Sequence, residues 1–159
     1  MQQTHKIFFT VILAIASCAP FLVGCSASNP PDTVASVDLQ RYIGKWYEIA
    51  RYPQLFEFGL VGVTAEYALD NIGTVSVTNR GFKNRLNGSE STIHGVATVV
   101  DTTSNAKLSV RFDLFPASLF PGDYWIVEFG QNYEYAVVSD PKRATLWILS
   151  RTPQMDSSV

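Results

Sequence analysis

The chain is short of the residues from which most catalytic and metal centres are built. Its two cysteines, Cys18 and Cys25, both fall in the first 25 residues, and of its two histidines only His94 lies beyond them. From Ser26 onward the sequence therefore cannot assemble an internal disulfide, a Cys-His pair or a multi-histidine metal site. No Gly-x-Ser-x-Gly turn marks a nucleophile for His94 to serve, and no Gly-rich phosphate loop is present. Charge is sparse as well: 16% of residues are charged and the net charge is -2, which gives no electrostatic case for nucleic acid. Helix-period stretches long enough for a βαβ crossover are also missing. The expectation is a protein that does no covalent chemistry and needs neither metal nor cofactor.

What is present is apolar and aromatic. Hydrophobic residues make up 47% and aromatics 13% of 159 residues, enough for one globular, β-rich domain with a sizeable core. Residues 1–24 read as a secretory leader: a short polar start ending at Lys6, then a ten-residue apolar run over 7–16, too short for a permanent span. Leu22-Val23-Gly24-Cys25 resembles a bacterial lipobox, in which Cys25 becomes acylated. Ile15-Ala16-Ser17-Cys18 fits the same pattern, but the polar, Pro-containing stretch directly after Cys25 favours Cys25. Residues 25–37 are accordingly read as an acylated cysteine and tether, and 38–159 as the folded domain. Ser26 is not the Asp that resembles an inner-membrane retention signal, which implies an outer-membrane lipoprotein facing the periplasm.

The first folded stretch is Gly44-Lys45-Trp46-Tyr47-Glu48-Ile49-Ala50-Arg51. A helical turn capped by Asp38 is expected just before it, plugging one end of a barrel beside Trp46. Strands are expected at 45–51, 62–69, 75–82, 91–100, 107–114, 124–129, 135–139 and 145–151. Eight short strands separated by polar turns suggest an all-β, antiparallel up-and-down barrel, closed so that no edge is exposed. Alternation assigns the faces. Leu108, Val110, Phe112 and Leu114 share one side of their strand, against Lys107, Ser109, Arg111 and Asp113. Val63, Ala65, Tyr67 and Leu69 point inward on the second strand, Val75, Val77 and Asn79 on the third, and Gly95 and Ala97 on the fourth. Small inner residues leave room for a ligand. Glu66 and Asp113 fall outside, His94 is expected at the surface or rim, and Glu48, sharing parity with Trp46, is expected as a hydrogen-bonded carboxyl in the floor.

Meander topology puts the loops after strands one, three, five and seven at one end. Two of them carry apolar residues, Leu55, Phe56, Phe58 and Leu60 in the first, Phe115, Leu119 and Phe120 in the third. Such clusters mark a ligand mouth or an interaction surface. The other two carry Lys83 and Arg85, and Lys142 and Arg143, a basic rim that suits an anionic headgroup. The expected ligand-binding residues are Phe56, Phe58, Val63, Ala65, Tyr67, Val77, Asn79, Ala97, Val110, Phe112 and Phe120.

Together, the lipobox, the tether, the Gly44-Lys45-Trp46 strand, the eight-strand pattern and the late Leu146-Trp147-Ile148-Leu149-Ser150-Arg151-Thr152-Pro153 resemble the lipocalins, in particular the bacterial outer-membrane group similar to apolipoprotein D. The resemblance implies that Gly44, Trp46 and Arg151 are structural, with Arg151 packed across Trp46 at the closed end. It also implies binding and transport or storage of an amphipathic lipid, a fatty acid or lysophospholipid, by a protein held on the membrane through its acylated N-terminus, and it allows a homodimer. A lipocalin-fold enzyme acting on a lipid and a protein-interaction scaffold are the alternatives. Two departures stand out. The family's Thr-Asp-Tyr-like turn between strands six and seven is replaced by Phe129-Gly130-Gln131-Asn132-Tyr133, with Gly130 in the Asp position. The sequence also ends eight residues after Arg151, so the family's C-terminal helix is expected to be absent.

Overall fold

The computed structural model describes residues 29–70 and 73–156. The leader, Cys18 and Cys25 lie outside the described residues. Eight strands run in chain order around a closed barrel: β1 (Gly44–Arg51), β2 (Leu60–Leu69), β3 (Val75–Lys83), β4 (Glu90–Val99), β5 (Lys107–Phe112), β6 (Gly122–Phe129), β7 (Tyr135–Ser139) and β8 (Leu146–Ser150). Every neighbour pair is antiparallel, and β8 closes on β1 through Tyr47↔Ser150 and Arg51↔Trp147. No strand among these keeps a free edge. The expected strands are all found, with ends moved by a few residues. β2 begins at Leu60 and β6 at Gly122, each two residues earlier than expected, because their ladders with Lys83 and Val110 start there. β5 stops at Phe112, so Leu114 lies beyond it.

Alternation places the core as expected. Val63, Ala65, Val75, Val77, Ala97, Leu108 and Val110 are buried, and Glu66, His94 and Asp113 are exposed. His94 Nδ1 is hydrogen-bonded to the Thr78 hydroxyl on the outer surface at 3.1 Å. The one α-helix among the described residues, α1 (Leu39–Tyr42), is a single turn whose first free N–H groups are partly met by Asp38, whose carboxylate accepts from Gln40 N at 3.0 Å. α1 closes the barrel beside Trp46, and the Trp46 Nε1–H donates to the Tyr42 carbonyl at 2.8 Å.

Part of the stretch expected to be free tether belongs to the barrel. Val37 is buried, and its N–H donates to the Ser104 carbonyl at 2.7 Å, while Val34 N donates to Ile126 O at 3.1 Å and packs against the core. The domain therefore begins before residue 38. Two valines three apart in a polar segment are enough to dock it, since burying each removes apolar surface from water.

Candidate functional site

The floor is built from one constellation. Gly44 has φ +95°, a left-handed conformation that glycine alone adopts without strain. Beside it the Arg151 guanidinium lies over Trp46, 3.7 Å from the ring centre. Trp46 is fully buried. Above it, Tyr42, Tyr67 and Tyr124 form a hydroxyl cluster, with Tyr124 Oη 2.9 Å from Tyr42 Oη and 3.2 Å from Tyr67 Oη. Burial pushes all three phenols up, Tyr67 to about 12, so they stay neutral near pH 7.

The turn that departs from the family pattern is stabilised by another acid. Glu134 accepts from Asn132 N at 2.9 Å, and its carboxyl group occupies the space beside Gly130 that a Cβ would take. The turn thereby holds Tyr133, which stacks on Phe129 and accepts Arg151 Nε on its carbonyl at 3.2 Å.

Between floor and mouth lies a cavity of about 620 Å³. That is within the range of small-molecule sites, and its wall is mostly apolar. Ten of the eleven residues expected to bind ligand line it: Phe56, Val63, Ala65, Tyr67, Val77, Asn79, Ala97, Val110, Phe112 and Phe120. Phe58 does not. It is 89% exposed and borders a second hollow formed by β1, β2 and the loop between them. Phe56 and Phe58 are separated because a 3-10 turn over Leu55–Glu57 sends residues two apart in different directions. Lys83 ends β3, Arg85 follows in the β3–β4 connection, and Lys142 and Arg143 sit in the β7–β8 connection, all at the mouth end, and none of them lines the cavity.

Sequence reasoning missed an acidic cluster in the cavity wall. Glu57, in the β1–β2 loop, is buried, and it meets Glu48, Arg51 and Trp147. Arg51 donates to the Glu48 carboxylate, its Nε lies 3.2 Å from Glu57 Oε2, and its Nη2 donates to the Glu57 and Leu60 carbonyls at 3.2 Å each. Trp147 Nε1 completes the cluster, 3.4 Å from Glu57 Oε2. Burial first, and the neighbouring Glu48 second, push the Glu57 carboxyl up to about 7. Burial also raises Glu48, with Arg51 opposing it. Glu48 is thus placed by Arg51 in the wall beneath the mouth loop, and not in the floor as expected. One further polar atom is unmatched: Asn79 Oδ1 is buried with no hydrogen-bond partner.

The sequence and fold of the chain are matched by known proteins. Residues 37–159 fit the model of the lipocalin-like domain. The outer membrane lipoprotein Blc of Escherichia coli K12 is 38% identical over 151 residues, spanning 93% of this chain and 82% of the relative. Apolipoprotein D of Bos taurus is 35% identical over 133 residues, 79% of this chain and 66% of the relative. Among solved structures, insecticyanin from the tobacco hornworm Manduca sexta superposes with a TM-score of 0.61 at 22% identity, covering 82% of this chain and 70% of that one. The chain is a member of the lipocalin-like family, allied to the bacterial outer-membrane lipoproteins.

Proposed function

We propose that the protein is a membrane-tethered carrier of a single-chain amphipathic lipid, a fatty acid or a lysophospholipid, in the cell envelope. The observation that carries this reading is the 620 Å³ cavity, closed below by Leu39 and the Tyr42, Tyr67 and Tyr124 cluster and walled by Val63, Ala65, Val77, Ala97 and Val110. Its mechanism is desolvation. Each methylene that leaves water for the cavity contributes about 0.8 kcal/mol, so a long chain reaches useful affinity after association costs are met. Chain length is weakly discriminated, because few polar groups read the tail. The unpartnered Asn79 Oδ1 accepts from a ligand hydroxyl, which the glycerol of a lysophospholipid supplies. The exposed Leu55, Phe115 and Phe120 at the mouth meet the tail as it leaves a bilayer, and Lys83, Arg85, Lys142 and Arg143 face its phosphate. Cys25 holds the protein on the outer membrane, on its periplasmic side.

Mass spectrometry of organic extracts of the purified protein tests the reading. A single-chain amphipath present at one per chain is expected. Extracts containing only diacyl lipids in non-stoichiometric amounts would refute it.

A further inference from the structure

The cavity is acidic where a site for an anionic head would be basic. Two carboxylates, those of Glu48 and Glu57, stand in its wall; Asp123 and Arg80 border it from outward-facing strand positions, and the Asp140 carboxylate is turned to Lys142 N and Thr145. Arg51 stands behind Glu48 and Glu57, yet each nitrogen of its guanidinium is already turned to a protein oxygen: Nη1 to Glu48, Nε to the Glu57 carboxylate, and Nη2 to the Glu57 and Leu60 carbonyls. It has little left to offer a ligand anion. The two acids are in the opposite condition. Glu48 Oε2 and Glu57 Oε1 have no hydrogen-bond partner among the described residues, while both side chains are more than nine-tenths buried.

We propose that the Glu48–Glu57 pair is a subsite for the ammonium group of the bound amphipath, so that the cavity selects an amine-bearing lysophospholipid over a fatty acid. The inference rests on the carrier reading above and narrows it. Two carboxylates share one guanidinium, which leaves an excess negative charge in a wall of low polarity, where electrostatic interactions are stronger than in water. An incoming ammonium neutralises that excess and contacts the two free oxygens. A fatty-acid carboxylate meets repulsion from the same pair.

A pH signature follows from the surrounding groups. Glu57 faces Glu48 and Arg51 from β1 and Trp147 from β8, and its carboxyl is pushed up to about 7 by burial and by Glu48. The other charged groups bordering the cavity are Asp123, Asp140 and Arg80; Asp140 is held ionised by hydrogen bonds from Lys142 N and from Thr145. The floor phenols of Tyr42, Tyr67 and Tyr124 stay neutral. A bound cation therefore favours the ionised form of Glu57, and affinity for a permanent cation rises as pH passes upward through 7.

The test uses the full chain in digalactosyldiacylglycerol vesicles, which carry no charge and no ammonium, with protein-free vesicles as reference. Decyltrimethylammonium, decanol and decanoate are titrated separately at pH 8, and the first two again at pH 5.5. At pH 8 the ammonium probe is expected to bind about tenfold more tightly than decanol, through charge attraction in a wall of low polarity, and decanoate more weakly than decanol. The ammonium advantage should shrink severalfold at pH 5.5, and Glu57→Gln should remove most of it at pH 8. Equal binding of ammonium and alcohol at both pH values overturns the inference and leaves the carrier reading standing. Failure of all three probes to bind overturns both. Should Glu57→Gln not fold, the wild-type comparison at two pH values decides alone.

Discussion

The Arg151 guanidinium lies 3.7 Å from the centre of the Trp46 indole while donating to four backbone carbonyls, those of Arg41, Tyr42, Lys45 and Tyr133. One side chain at the end of β8 thus ties together α1, β1 and the β6–β7 turn. Trp46→Ala should destabilise the fold by roughly 3–5 kcal/mol, the usual cost of emptying a large aromatic site. Arg151→Ala should cost about 2–4 kcal/mol through the lost cation-π contact and unmet carbonyls. Denaturant titration checks both, and a midpoint equal to wild type for either variant would remove that residue from the floor.

Glu57 and Glu48 make stability depend on pH in an unusual direction. A carboxyl raised in the folded state binds its proton more tightly there than in the unfolded chain, so stability falls as pH rises through the interval between the two values. For Glu57 that interval runs from 4.5 to about 7, and Glu48 is shifted in the same direction. Asp101 and Asp140, both lowered from 3.8, titrate below it. The melting temperature should therefore be higher at pH 5 than at pH 8, and Glu57→Gln should flatten the difference. A melting temperature that rises from pH 5 to pH 8 would contradict the account of the pair.

The proposed membrane anchor rests on Leu22-Val23-Gly24-Cys25. Cys25→Ala should abolish acylation and leave the protein released or unprocessed, whereas Cys18→Ala should leave the anchor intact. Fractionation with mass measurement of the mature N-terminus checks this. Loss of the acyl mass in Cys18→Ala, with retention in Cys25→Ala, would transfer the anchor to Cys18.

The barrel was legible in the sequence because strand alternation is a local signal, whereas the packing of Arg151 across Trp46 in the floor came from the resemblance to the lipocalins. A period of two in Val63-Thr64-Ala65-Glu66-Tyr67 fixes the inner face without knowledge of any partner strand, and Gly44, Trp46 and Arg151 each sit at a strand end. The acidic wall was not legible, for two physical reasons. Glu57 belongs to an irregular loop, where burial is decided by how the loop folds back and not by period. The β1–β8 register also shifts between Glu48 and Ala50, which breaks alternation where Arg51 turns toward the acids. A charge pattern offered one clue: Glu48 and Arg51 three apart, followed by a second Glu in an otherwise apolar loop. The docking of Val34 and Val37 was hidden by their polar, Pro-containing surroundings.

Binding to a cavity-filled variant tests the central claim most directly. Ala97 lies between Val75 and Val110 in the ladder, all three line the cavity, and a phenyl group at position 97 occupies the space proposed for the acyl chain. Titration of an ammonium-bearing lysophospholipid into wild type and Ala97→Phe, with melting temperatures measured in parallel, should show one site per chain in the wild type. The variant should lose about tenfold or more in affinity, since a few displaced methylenes at about 0.8 kcal/mol each suffice for that, while remaining folded. Unchanged affinity in a folded Ala97→Phe would contradict the account, because the lipid would then be bound outside the barrel.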